Sequence, residues 1–200
     1  MKKLNVGIVG LGWAAGGHLL AFNKNPDCQV VALCSRKSLT REEISEMCQS
    51  DATLYHSYDE FLNHPGLDIV DICTPHSLHA EQAIKAAEKQ KHLMIEKPLS
   101  LDFESLIRMR DAIEKAKVRS IVYFELRFLP EFDLLDSCIR RELLGKMHYL
   151  EVDYYHGIGP WYGQYEWNIK KKWGYALDSG MHLTPVHATS GVLGLVHAHA

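Results

Sequence analysis

The sequence contains no run of the ~18 to 20 uninterrupted apolar residues that a membrane helix needs, because glycine, histidine, serine and threonine break up its apolar C-terminal tail. No membrane span is expected. An apolar signal segment is missing as well: Met1-Lys2-Lys3 leads straight into a short strand-like run that ends in glycines, so a cytoplasmic location is expected. The five cysteines, Cys28, Cys34, Cys48, Cys73 and Cys138, show no CxxC spacing and are too sparse for a disulfide scaffold. Reduced thiols are the simpler reading. Among 12 histidines there is no HExxH and no Cys/His cluster, and His197-Ala-His199 is accounted for by composition, so no metal is expected. Excess positive charge is also lacking. The net charge is −3, and the one dense basic run, Lys170-Lys171-Lys172, reads as solvated surface, which argues against a nucleic-acid partner. Internal repeats and low-complexity tracts are absent.

What is present is ordinary globular material, with 46% hydrophobic and 24% charged residues in a chain of 200. That length suits one full domain plus a smaller or incomplete second one. Leu4 to Val9 is an apolar strand run ending in Gly10 and Gly12, and Trp13 to Phe22 follows with helix-compatible content. A second β-branched run, Gln29 to Cys34, comes after Asn25-Pro26-Asp27, and Arg41 to Gln49 reads as a short helix. Leu67 to Cys73 is a third strand ended by Thr74-Pro75, after which Ser77 is expected to cap an alanine-rich helix to about Lys89. His92 to Ile95 makes a fourth strand, Phe103 to Ala116 an amphipathic helix, and Val118 to Phe124 a fifth strand. Such alternation predicts an α/β fold with a doubly wound, mostly parallel sheet over residues 1–122. Residues 123–200 change texture: a helix near Asp133 to Leu143, the alternating strand Met147 to Tyr155, and an aromatic loop from His156 to Trp173. They predict a partial α+β second domain.

The first chemistry-bearing motif is Gly10-Leu11-Gly12-Trp13-Ala14-Ala15, a GxGxxA pattern directly after the first strand. Gly10 permits the tight turn, Gly12 lets a pyrophosphate approach the backbone, and Ala15 allows close helix-to-strand packing, while the helix N-terminus offers N–H groups and a positive dipole end. This is the Rossmann-type dinucleotide fingerprint in the context its mechanism requires, and it predicts a nicotinamide dinucleotide. An acidic residue at the end of the second strand, about 20 residues on, would bond the ribose 2′-hydroxyl of NAD. Here that position is Ser35-Arg36-Lys37, which favours the extra phosphate of NADP over NAD.

Two more clusters lie at strand ends: Cys73-Thr74-Pro75-His76-Ser77-Leu78-His79 and Glu96-Lys97-Pro98. With them the chain resembles the glucose-fructose oxidoreductase and inositol 2-dehydrogenase family (the Gfo/Idh/MocA type). The likeness continues through Phe124-Glu125-Leu126-Arg127-Phe128, Glu142-Leu143-Leu144-Gly145-Lys146 and Asp178-Ser179-Gly180-Met181-His182. The resemblance implies hydride transfer between a nicotinamide and a secondary alcohol or ketone of a sugar, polyol or inositol-like substrate. It implies Lys97 near the substrate oxygen and the nicotinamide, His182 exchanging the hydroxyl proton, and Asp178 supporting them. It also suggests a cis Lys97–Pro98 peptide. The chemistry wants such groups independently, since a histidine titrates near neutrality and an ammonium stabilises a developing alkoxide. Taken alone, Lys97 reads more readily as a surface lysine beside a strand end and His182 as a satisfied core or surface histidine. The cofactor-binding set expected is Gly10, Gly12, Trp13, Ala14, Ala15, Ser35, Arg36, Lys37, Thr74, Pro75, His76, His79, Glu96, Lys97 and Arg127. Trp161, Tyr162, Tyr165 and Trp167 fit either the floor of a sugar site or a loop cluster.

The chain departs from the family pattern in places. Similar proteins often carry Asn where this one has His76 and Glu125, and commonly Asp where it has Pro185. Thr184-Pro185 reads as a helix N-cap and first helical residue, so the helix is expected to begin just after His182 rather than carry it. Family members are considerably longer, with more strands in the second domain that cover the site and mediate assembly. An incomplete second domain is therefore expected, with Met147 to Tyr155 as an uncovered edge, and a homo-oligomer where that domain is completed. The alternative function is a non-catalytic dinucleotide-binding protein or truncated remnant.

Overall fold

The computed structural model describes residues 3–146, 148 and 149. The chain divides into two compact units, Met1–Tyr123 and Phe124–Ala200.

The first unit is a six-stranded parallel sheet in the order β3-β2-β1-β4-β5-β6. Its strands are β1 (Leu4–Val9), β2 (Cys28–Cys34), β3 (Thr53–Tyr55), β4 (Ile69–Ile72), β5 (His92–Glu96) and β6 (Ser120–Tyr123). The helices between them are α1 (Trp13–Lys24), α2 (Arg41–Cys48), α3 (Tyr58–Leu62), α4 (His79–Glu88) and α5 (Phe103–Ala116). The central strands read as near-continuous apolar runs because both faces are covered, as a parallel sheet requires. One face packs Val6, Ile8, Val30 and Leu33 against Ala15 and Leu19 of α1 and Ile44 and Cys48 of α2. The other packs Val9, Val70, Ile72, Leu93 and Ile95 against Phe61, Ala83, Ala87 and Met109. Burying some 25 cal/mol per Å² of apolar surface on both faces is the main stabilising term.

The doubly wound parallel fold expected from the sequence is present, with one strand more than the five read there. The extra strand, β3, has only three residues, too few for a period to show, and exists because Ala32, Leu33 and Cys34 pair with it. The short helix α3 also escapes the pattern. Ser77 does not cap α4. It lies in a 3-10 turn, His76–Leu78, closed by the Leu78 N–H to the Pro75 carbonyl at 2.9 Å, and the helix proper begins at His79. The strand order reverses between β1 and β4, so a crevice opens at their carboxyl ends, where open α/β sheets bind ligands.

In the second unit a 3-10 turn (Glu125–Phe128) is followed by α6 (Pro130–Arg140), which starts earlier than the sequence suggests because Pro130 occupies its first turn. The expected strand Met147–Tyr155 and aromatic loop lie outside the described residues. No helix among the described residues is long and apolar enough to cross a membrane.

Candidate active site

The β1–α1 turn is built around two glycines that differ in why they are there. Gly10 has φ +90°, and a Cβ on it would stand 2.6 Å from the Cys73 carbonyl oxygen, so only glycine lets β1 and β4 close here. Its N–H donates to the Cys34 carbonyl at 2.9 Å. Gly12, the N-cap of α1, has ordinary backbone angles, and a Cβ there would meet nothing within 4 Å. The space above it is open. The first turn of α1 has no side-chain cap and no acidic residue, whereas Thr40, Ser57 and Asp102 cap α2, α3 and α5. Open space above a helix N-terminus without a side-chain cap suits a diphosphate. Ala15 is buried against the sheet, Ala14 is half-buried, and Trp13 is exposed.

At the end of β2, Lys37 Nζ donates to the Leu11 carbonyl at 3.1 Å, and the Lys37 N–H to Ser35 Oγ at 3.1 Å. The Lys37 ammonium thereby lies beside the glycine turn. Arg36 is exposed, and His56 donates Nδ1–H to the Ser35 carbonyl at 2.8 Å. The residues following β2 are thus a hydroxyl and two cations.

Beyond β4, Thr74 Oγ1 donates to Gln82 Oε1 at 2.6 Å. His79 is fully buried, with Nε2 at 2.7 Å from the Thr74 carbonyl and Nδ1 at 2.8 Å from the Pro98 carbonyl. Burial pulls its pKa down, against the two carbonyls that favour a second ring proton. The ring of His76 packs edge-on against that of His79, with centroids 5.7 Å apart. Lys97, half-buried, follows β5. Its N–H donates to Glu96 Oε2 at 3.0 Å, and the Lys97–Pro98 peptide is cis.

Beneath the crevice, α1 delivers His18 into the sheet. His18 Nδ1 lies 2.8 Å from Asp71 Oδ2, and Nε2 lies 3.1 Å from Glu96 Oε1. Asp71 is fully buried and His18 nearly so. Burial alone would make His18 less basic, but the Asp71 and Glu96 carboxylates and the Cys73 sulfur outweigh it and raise its pKa. Burial also raises the Asp71 carboxyl, against the pull of His18. The shared proton belongs on the histidine, because two carboxylates face the ring. His18, Asp71 and Cys73 bring three potential metal donors within 4.8 Å of one another. Burial pushes the Cys73 thiol up to about 12, and His18 and Asp71 are bonded directly to each other.

The structure thus brings Gly10, Gly12, Thr74, Pro75, His79, Glu96 and Lys97 to the carboxyl ends of β1, β4 and β5, with Ser35, Arg36 and Lys37 at the end of β2. Arg127 belongs to the second unit and is exposed. Asp178 and His182 lie outside the described residues. Sequence reasoning passes over His18, Asp71, His56 and Gln82. A signal for the first two exists: Asp71 interrupts the apolar run of β4, and His18 stands beside Leu19 on the buried side of α1, an acid and a base each out of place in an apolar element.

Comparison with known proteins agrees with the fold. The chain is 32% identical over 155 residues to levoglucosan dehydrogenase from Pseudarthrobacter phenanthrenivorans, covering 74% of this chain and 40% of that protein. It is 28% identical over 149 residues to myo-inositol 2-dehydrogenase from Thermotoga maritima, covering 74% and 44%. The chain therefore spans less than half the length of these curated relatives. Among solved structures, the WlbA dehydrogenase from Bordetella pertussis, crystallised with NADH and UDP-GlcNAcA, superposes with a TM-score of 0.66 at 26% identity, covering 72% of this chain and 44% of that one. A sequence model of the Gfo/Idh/MocA group, described as an oxidoreductase family with an NAD-binding Rossmann fold, matches residues 4–124. With its strand order and glycine turn in place, the chain belongs to that oxidoreductase family.

Proposed function

We propose that this chain supplies the dinucleotide site and the catalytic lysine of an NAD(P)-dependent dehydrogenase that acts on a secondary alcohol, or the corresponding ketone, of a sugar, polyol or inositol-like substrate. The observation that carries this reading is the open, uncapped glycine turn at the strand-order reversal, beside strand ends that hold Thr74 and Lys97. Backbone N–H groups at Gly12, Trp13 and Ala14 would hold the diphosphate. When bound, the nicotinamide accepts or returns the hydride. Lys97 stabilises the alkoxide that develops as the hydroxyl proton leaves, and His182, supported by Asp178, takes that proton. The dehydrogenases among the relatives support the substrate class.

NADP is favoured over NAD. No carboxylate follows β2, where Ser35, the exposed Arg36 and the Lys37 ammonium instead suit a 2′-phosphate.

Calorimetric titration with NADPH and NADH tests the reading, with NADPH expected to bind about tenfold more tightly through one added charge-assisted contact. Gly12→Ala should fold normally, because its Cβ meets no protein atom, yet lose about tenfold or more in dinucleotide affinity by crowding the diphosphate. Lys97→Ala should keep binding and lose turnover on a panel of inositols and sugars followed at the reduced-nicotinamide absorbance. Absence of heat with either dinucleotide sinks the proposal.

A further inference from the structure

The His18 bridge connects the two halves of the site. Its ring sits on α1, whose N-terminus is the glycine turn, and reaches β4 through Asp71 and β5 through Glu96. Glu96 uses both oxygens: Oε1 faces His18 Nε2 at 3.1 Å, and Oε2 accepts the Lys97 N–H at 3.0 Å. A continuous path of bonds therefore runs from the dinucleotide helix to the backbone of Lys97. The groups packed on the ring are Asp71 of β4, Cys73 just after it, Glu96 of β5, and the Tyr123 ring of β6 at a centroid distance of 4.3 Å. Two of these are carboxyl groups, one facing each ring nitrogen, an arrangement in which an imidazolium donates to both.

Stability alone does not explain such a bridge, since a buried ion pair is often replaceable by well-packed apolar groups without loss. What a charged bridge fixes is direction. A leucine at position 18 would fill the volume but leave the Glu96 carboxylate free to turn, and with it the peptide that carries Lys97.

We propose that His18 is a positioning residue: as an imidazolium between Asp71 and Glu96, it holds the Glu96–Lys97 strand end in register with the glycine turn, so that bound dinucleotide and Lys97 meet. This rests on the reading of Lys97 as part of the dinucleotide site. It goes beyond that reading by assigning a role to a residue that touches neither cofactor nor substrate.

The test uses the full chain and needs no substrate. Lys97 is acylated with acetic anhydride and its modification quantified by peptide mass spectrometry, with and without saturating NADPH and, separately, NADH. Bound dinucleotide should slow Lys97 acylation about tenfold in the parent chain, whereas in His18→Gln and Asp71→Asn the dinucleotide should still bind by calorimetry and protection fall to about twofold or less, as expected for a reactive group displaced by a fraction of an ångström or more. A second readout is nitrogen-15 NMR of labelled histidine, in which His18, identified by its loss or shift in either variant, should carry two ring protons at pH 8. Unchanged protection in both variants overturns the positioning role while leaving the dehydrogenase reading intact. No protection in the parent chain overturns Lys97 as a site residue and the proposal with it. A His18 ring with a single proton at pH 8 overturns the bridge itself. Where His18→Gln fails to fold, Asp71→Asn, which keeps the side-chain shape and the His18–Glu96 contact while removing one carboxylate of the bridge, decides alone.

Discussion

At the scale of single residues, the two glycines of the fingerprint do different work, and substitutions separate them. A side chain at Gly10 meets the Cys73 carbonyl and a backbone angle of +90°. Gly10→Ala is therefore expected to cost on the order of 2 kcal/mol or more, read as a lower urea midpoint, in contrast to the folded but weakly binding Gly12→Ala. His18 carries a pH dependence of definite sign. Its pKa is raised in the fold from an ordinary 6.5, so the native state holds a proton that the unfolded chain releases above that value. The stabilisation is present below pH 6.5 and lost as pH rises above it. Between pH 7 and 8 the unfolding free energy should therefore fall, and this fall should be absent in His18→Gln. His79, whose pKa is lowered, acts on the other side. The unfolded chain takes up its proton first as pH drops below 6.5, so stability declines there too.

At the scale of elements, local chemistry accounts for most boundaries. Helix α2 opens with a reciprocal capping box: Thr40 Oγ1 accepts the Glu43 N–H at 3.2 Å, and Glu43 Oε2 accepts the Thr40 N–H at 2.7 Å. It closes on Gln49 in the left-handed region at φ 50°. Thr40→Ala should lower stability by about 1 kcal/mol in urea unfolding. Helix α5 was legible from its amphipathic stripe and is confirmed over Phe103–Ala116, with Asp102 accepting the Ser105 N–H at 2.7 Å. Where the sequence misleads, a tertiary partner is the reason. Ser77 looks like a cap, yet the chain makes one tighter turn after Pro75, and His79 side-chain bonds to Thr74 and Pro98 anchor the start of α4 instead. The strand β3 has no pattern of its own and is defined by β2.

At the scale of the whole molecule, burial controls the thiols. Cys28, Cys34, Cys48 and Cys73 are buried and Cys138 is half-buried. Burial pushes Cys34 and Cys48 up to about 11 and Cys73 up to about 12 from an ordinary 9.0. In the native chain at pH 8, only Cys138 should react within minutes with a chromogenic disulfide, and all five should react in urea. The same burial makes the fold more stable below pH 9.0 than above it. Raised thiols stay protonated in the native state while the unfolded chain ionises, so the urea midpoint should drop between pH 9.0 and 11.

The sequence by itself determined the alternation of strands and helices, the glycine turn, the cationic end of β2 and the Glu96-Lys97-Pro98 strand end, because each is written in neighbouring residues as a period, a spacing or a backbone demand. Tertiary structure alone decided the sixth strand, the open space over Gly12, and the partners of the buried histidines. His18 meets Asp71 across 53 residues and Glu96 across 78, distances in sequence at which no local pattern operates. Only the closing of a parallel sheet, which brings strands distant in the chain side by side and excludes water between them, turns an isolated acid and base into a charged bridge.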